Sequence, residues 1–154
     1  MSDHHPLVVR SIADIRDLVA GWRAQGLRVA LVPTMGALHA GHVSLVEKAK
    51  RLADRVIVSI FVNPTQFAPT EDFSKYPRTF EADVEKLAAV RAEAVYSPPV
   101  EAMYPPGAAT TVSVAGPAKA GLEDVTRPFH FAGVATIVAK LFTQVWPDVA
   151  IFGE

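Results

Sequence analysis

Cysteine is absent from the 154-residue chain, which excludes a disulfide framework, cysteine zinc sites and thiol catalysis. No stretch approaches the roughly 18 consecutive apolar residues of a membrane span. An excess of either charge is also missing, with 15 Lys and Arg against 16 Asp and Glu. Sequence-independent nucleic-acid binding therefore lacks its electrostatic driving force. The first ten residues hold Asp3, His4 and His5, where a signal peptide would place a basic and then an apolar run. What the chain does have is 50% hydrophobic residues at a net charge of −1, a balance that excludes intrinsic disorder. Its length suits one domain, which buries roughly two-thirds of its unfolded surface and needs no covalent staple. The expectation is a soluble, cytoplasmic domain with neither a membrane nor a nucleic-acid partner.

The hydrophobic pattern alternates between the helical and the extended period. Ser11 to Gln25 reads as a helix with Ile12, Ile15, Leu18, Val19 and Trp22 inward, capped by Ser11 and stopped by Gly26. Arg28 to Val32 is a short apolar strand ending at Pro33, and a helix with Val43, Val46, Ala49 and Leu52 inward runs from about Gly41 to Ala53. Arg55 to Val62 is apolar on both faces, as a strand in the middle of a covered parallel sheet must be. Asn63 to Arg78 reads as loop. A helix capped by Thr79 follows to Arg91, with Phe80, Val84 and Leu87 inward, and Ala94 to Tyr96 is a brief strand.

Four prolines exclude regular structure from Ser97 to Gly107. Thr110 to Val114 reads as an edge strand. Phe131 to Trp146 is an amphipathic helix with Val134, Ile137, Val138, Leu141, Phe142 and Val145 inward and Thr136, Lys140 and Gln144 outward. Val149 to Phe152 closes the pattern as a buried strand. Helices alternating with buried strands predict an α/β fold, a parallel sheet with helices on both faces. Ligands of such sheets sit at the carboxyl ends of the strands. Three segments are thereby marked: Pro33 to His42, Asn63 to Tyr76, and whatever follows Phe152.

The first segment carries the most chemistry. In Pro33-Thr34-Met35-Gly36-Ala37-Leu38-His39-Ala40-Gly41-His42, Gly36 permits a sharp turn and Gly41 clears space for a ligand near the backbone. The helix beginning there offers free N–H groups to an anion. His39 and His42, on one face of its first turn, are placed to donate to a phosphate chain and to stabilise charge as pyrophosphate leaves. A histidine that caps or packs is the competing reading. A metal pair lacks a third ligand nearby, so no metal site is assigned. If His42 only binds phosphate, His42→Ala should weaken binding of that anion and leave thermal stability nearly unchanged. In the second segment, the amides of Asn63 and Gln66 suit a hydroxyl or carboxylate, with Asp72, Tyr76 and Arg78 as a polar rim; loop capping is the simpler role for each alone. His130, between two phenylalanines, reads as a packing residue.

The His-x-Gly-His segment between strand and helix resembles the signature of the HxGH nucleotidyltransferase superfamily, whose fold is Rossmann-like. The likeness extends along the chain in order: Leu31 to His42, Val58 to Phe67, Tyr76-Pro77-Arg78-Thr79, Arg127-Pro128 with His130-Phe131, and Pro147-Asp148 leading into Phe152-Gly153-Glu154. Together these resemble the N-terminal domain of the pantothenate synthetase (pantoate–β-alanine ligase) family, with residues 1–154 as that domain. Phe129 departs from the glycine usual in the family.

The resemblance implies a two-step reaction. ATP and (R)-pantoate give pantoyl adenylate and pyrophosphate, with Mg²⁺ carried on the ATP phosphates; the amine of β-alanine then displaces AMP to give pantothenate. It implies that Met35, Gly36, Ala37, Leu38, His39, Ala40, Gly41 and His42 hold ATP, and that Gly153 and Glu154 begin a second ATP segment. His42 and His39 are the implied catalytic residues. Gln66, with Pro33, Thr34, Asn63 and Tyr76, is implied to bind pantoate and β-alanine. A homodimer through this domain is also implied. In the family a Lys-Asp pair follows this Phe-Gly-Glu, and a smaller C-terminal lid domain comes later. The expectation is therefore a fragment of a longer enzyme, catalytically incomplete as it stands. Two alternatives stay open: another HxGH nucleotidyltransferase acting on a phosphate ester, and a non-catalytic, dimerising nucleotide-binding module.

Overall fold

The computed structural model describes residues 4–64, 79–107, 111–112 and 130–153, with only the backbone described for 130–132. Five strands, β1 (Leu7–Val9), β2 (Val29–Thr34), β3 (Arg55–Ile60), β4 (Ala94–Tyr96) and β5 (Val149–Ala150), form one sheet in the order β1-β4-β3-β2-β5. Every pairing is parallel. Among the described residues, five helices connect them: α1 (Ile12–Ala24), α2 (Ala40–Leu52), α3 (Phe80–Ala89), the single turn α4 (Val100–Met103) and α5 (His130–Val145). None of the described helices is long and apolar enough to cross a membrane.

Side chains alternating along the strands divide the interior into two cores. Val29, Leu31, Ile57 and Tyr96 pack with Ile15 and Val19 of α1, Met103 of α4 and Ile137, Leu141 and Val145 of α5. Ala30, Val32, Val56, Val58 and Val95 pack with Val46 and Ala49 of α2 and Leu87 of α3. This is the expected sheet with helices on both faces. Ser11 caps α1 as the sequence indicates, accepting from the Asp14 N–H at 3.1 Å, and Gly26 turns the chain out with φ 76°.

Several boundaries differ from the expected ones. β1 was not expected; it is only three residues long, with Leu7 and Val8 exposed at the sheet edge. β2 runs through Pro33, which pairs in register with Ser59. The backbone groups of Val29 and Leu31 face β5, so by alternation the nitrogen of Pro33 faces that side too. There β5 pairs only with Ala30 and Leu31, and the missing N–H costs no ladder bond. β3 ends at Ile60 rather than Val62, and β5 at Ala150 rather than Phe152. The proline-rich stretch contains α4, because Pro99 stands at its N-cap and Pro105 beyond its end, positions that need no helical N–H.

Some side chains also face differently. Leu52 and Phe142 are exposed while Thr136 and Gln144 are buried. Thr79 is the N-cap of α3 without a side-chain cap bond, its hydroxyl donating to Asp83 instead. Thr111 and Val112 lie outside any strand; the rest of the expected edge strand, 110 and 113–114, lies outside the described residues.

From β2 the chain steps to β3 and β4 in one direction, then returns to place β5 on the opposite side of β2. This reversal opens a crevice beyond the carboxyl ends of β2 and β5, where a parallel α/β sheet binds its ligand.

Candidate active site

The chain leaves β2 through a turn that the sequence specifies closely. The Thr34 hydroxyl donates to the Ser59 carbonyl at 2.9 Å and accepts from the Gly36 N–H at 3.2 Å. Gly36 (φ 87°) and Ala37 (φ 51°) are both left-handed. A Cβ on Gly36 would stand 3.2 Å from Asp83 Oδ2 and 3.3 Å from Ile60 Cγ2, so glycine is required for space as well as for φ. The side chain of Leu38 is buried in the core shared with α2 and α3.

His39 and His42 cap α2 reciprocally. His39 Nδ1 accepts from the Gly41 N–H at 3.0 Å, and the His39 N–H donates to His42 Nδ1 at 3.2 Å. Their ring centroids are 4.1 Å apart. An Nδ1 that accepts a backbone proton carries none of its own, so the ring proton of each lies on Nε2, for which the described residues show no acceptor. Burial, and then the neighbouring His39, hold the His42 imidazole below the ordinary histidine value, while Asp83 acts in the opposite direction. The net lowering favours the uncharged ring. Gly41 has a different role from the expected one. A Cβ there would lie 2.8 Å from His39 Cε1, so the space it clears is filled by the capping ring.

Pro33, Thr34, Met35, Gly36, Ala37, His39 and His42 line one side of a cavity of about 380 Å³. Val134, Ile137, Val138 and Leu141 of α5, with Phe61 and Phe152, supply an apolar floor. The site is therefore a greasy pocket with two N–H donors and a helix N-terminus at one end, suited to a small branched molecule carrying an anion. Ala40 and Gly41 are exposed at the start of α2. Gly153 is exposed, and a Cβ on it would lie 4.0 Å from Leu45 Cδ1.

Asn63 is fully buried, its Nδ2 donating to the Gly133 carbonyl at 3.0 Å; it ties the exit of β3 to α5 and does not line the cavity. Gln66, Asp72, Tyr76, Arg78 and Glu154 lie outside the described residues, and His130 is described only as the first residue of α5. Among the described residues, no group of three His, Cys, Asp or Glu could hold a metal ion.

Sequence reasoning missed Asp83 and Lys86. The buried Asp83 carboxylate accepts from the N–H groups of Ala37 at 3.0 Å and Leu38 at 2.9 Å, and Lys86 Nζ donates to the Leu38 carbonyl at 2.8 Å. A signal existed: Asp83 interrupts the inward stripe Phe80, Val84, Leu87, where a charge needs a partner. A second cavity of about 390 Å³, on the other side of the Met35–Gly36 turn, is lined by Arg10, Thr79, Phe80, Asp83 and Ser97 to Val100 among others.

The family model for pantoate–β-alanine ligase matches residues 7–154. The pantothenate synthetase of a Bradyrhizobium strain is 62% identical over 149 residues, covering 97% of this chain and 53% of that protein. That of Rhodospirillum rubrum is 58% identical over 147 residues, covering 96% and 52%. The chain thus spans about half the length of these curated relatives. Among solved structures, pantothenate synthetase from Thermus thermophilus superposes with a TM-score of 0.83 at 45% identity, covering 94% of this chain and 50% of that one. Pantoate–β-alanine ligase from Francisella tularensis, complexed with β-γ ATP and β-alanine, gives 0.87 at 36% identity, covering 94% and 55%. A parallel sheet with His-x-Gly-His at the exit of β2, matched over nearly the whole chain, leaves one conclusion: the chain belongs to the pantoate–β-alanine ligase family.

Proposed function

We propose that this chain supplies the ATP- and pantoate-binding half of a pantoate–β-alanine ligase. In that reaction the carboxylate of (R)-pantoate attacks the α-phosphorus of ATP, releasing pyrophosphate with its Mg²⁺ and forming pantoyl adenylate. The amine of β-alanine then attacks the acyl carbon, and AMP leaves. The observation that carries the reading is the cavity with an apolar α5 floor and a rim of two Nε2–H donors. The floor suits the two methyl groups of pantoate. The rim and the start of α2 suit phosphate oxygens, where His39 and His42 stabilise negative charge during adenylation. Gln66 and Tyr76 are proposed to act on the pantoate and β-alanine side, with Asn63 holding the exit of β3 against α5, and Gly153 and Glu154 on the nucleotide side. Mg²⁺ belongs to the substrate, arriving on the ATP phosphates.

Calorimetric titration of the chain tests the proposal. We expect saturable binding of ATP and of (R)-pantoate, with phosphopantetheine much weaker than pantoate. Tighter binding of phosphopantetheine would transfer the chain to the phosphate-ester branch of the superfamily. Homodimerisation through this domain is a separate proposal, expected to give a light-scattering mass of about twice 16.6 kDa; a monomer at high concentration would remove it.

A further inference from the structure

We propose that Asp83 is the positioning residue of this site, setting from α3 the Gly36–Leu38 turn and thereby the placement of the two imidazoles that begin α2. The turn is costly by itself. Ala37 holds a left-handed backbone, which disfavours a residue with a Cβ. Successive backbone N–H groups in a turn can converge into an anion-binding concavity, and here the N–H groups of Ala37 and Leu38 receive a carboxylate from within the protein. The Asp83 carboxylate takes the Ala37 N–H on Oδ2 and the Leu38 N–H on Oδ1, and the Thr79 hydroxyl also donates to Oδ2 at 3.1 Å.

Three donors converging on one side chain require an acceptor-only group; an asparagine would turn an NH₂ toward one of them. Lys86, one helical turn further on, donates to the carbonyl of the same Leu38. Helix α3 therefore grips both polar groups of the residue immediately before His39. With the Leu38 side chain buried as well, no rotation of the turn is left free.

Asp83 makes none of its bonds to the imidazoles themselves, and it lines the second cavity rather than the one at the β2–β5 crevice. It acts through the backbone, by deciding where the His39 N–H points and so which nitrogen of His42 is occupied. What the imidazoles bind rests on the function proposed above; the positioning does not.

The test uses the 154-residue chain with Asp83→Asn and, separately, Lys86→Met. Long-range ¹H–¹⁵N spectra read the histidine tautomers in the free chain, and calorimetry reads ATP affinity. Wild type is expected to show a single Nε2–H tautomer at both His39 and His42. Asp83→Asn is expected to mix the tautomers and weaken ATP at least tenfold; Lys86→Met is expected to shift the ring signals and weaken ATP about threefold. A merely structural Asp83 would lower the melting temperature and leave the tautomers of the folded chain untouched, and that result overturns the proposal. Should Asp83→Asn fail to fold, Lys86→Met decides alone, and unchanged ring signals and affinity overturn it. Absence of ATP binding in wild type would refute the proposed function, while the spectra would still decide the positioning.

Discussion

At the start of α2 each imidazole uses Nδ1 to hold the helix terminus, which leaves Nε2 for a ligand. Capping and phosphate binding, competing readings of the motif in the sequence, are thus compatible on different atoms of one ring. This changes what substitution at His42 should do. Glutamine at the third helical position can still accept from the cap residue, so His42→Gln is expected to melt within about 2 °C of wild type, a shift worth under roughly 1 kcal/mol. His42→Ala also loses the reciprocal bond and should be destabilised by about 0.5–1 kcal/mol. Both should weaken ATP binding markedly. Calorimetry beside thermal melts separates the two jobs, and equal ATP affinity in both variants and wild type would leave capping as the only one.

Helix α5 shows what periodicity predicts and what it misses. Ile137, Leu141 and Val145 face the core as expected, but Thr136 and Gln144, on the face read as outward, are buried too. Their partners come from elsewhere: the Thr136 hydroxyl accepts from the Val112 N–H at 2.9 Å, and Gln144 Oε1 accepts from the Tyr96 hydroxyl at 2.8 Å. Tyr96→Phe leaves the buried amide oxygen without that donor and should cost about 1–2 kcal/mol, read as a lower urea midpoint with an unchanged m-value. Burial pushes the Tyr96 phenol up to about 12, slightly opposed by Arg16. The folded state therefore holds this proton more tightly than the unfolded chain. Its contribution is complete below pH 10 and is lost as pH rises toward 12, so the stabilities of wild type and Tyr96→Phe should converge across that window.

For the molecule as a whole, the crevice depends on keeping the two-residue β5 beside β2, and Asp148 does much of this. Its Oδ2 accepts from the Val29 N–H at 2.8 Å, its own N–H donates to the Val29 carbonyl at 2.8 Å, and Oδ1 pairs with Arg23 of α1 at 3.1 Å. Arg23 also donates to the Trp146 carbonyl, so α1, β2 and the end of α5 meet at one carboxylate. The Val29 N–H chiefly, opposed by burial and helped by Arg23 and Arg28, holds the Asp148 carboxyl below the usual carboxylate range. A depressed folded value means stabilisation that is present above the ordinary carboxylate value and lost as pH falls through the depressed one. Asp148→Asn should cost about 1 kcal/mol at pH 7, and the difference from wild type should vanish in strong acid. Urea midpoints for both proteins from pH 7 to pH 2 check this; a difference constant with pH would remove the charge from the explanation.

Of the fold, the sequence by itself determined the succession of helices and buried strands, the parallel sheet and the His-x-Gly-His turn. These features are written in residues close together in the chain, where hydrophobic period, caps and glycines act locally. Only the tertiary structure decided which polar groups those elements bind. Asp83 meets Leu38 across 45 positions, Asn63 meets Gly133 across 70, and Asp148 meets Val29 across 119. In the sequence each is simply a polar residue, Asp83 set within an apolar stripe and Asn63 beside a strand. A buried donor or acceptor must be satisfied, but its partner is chosen by how the layers close, and local pattern carries no record of that distance. The same reason explains why the apolar stripe of α5 was legible as core and its service as the floor of the cavity was not.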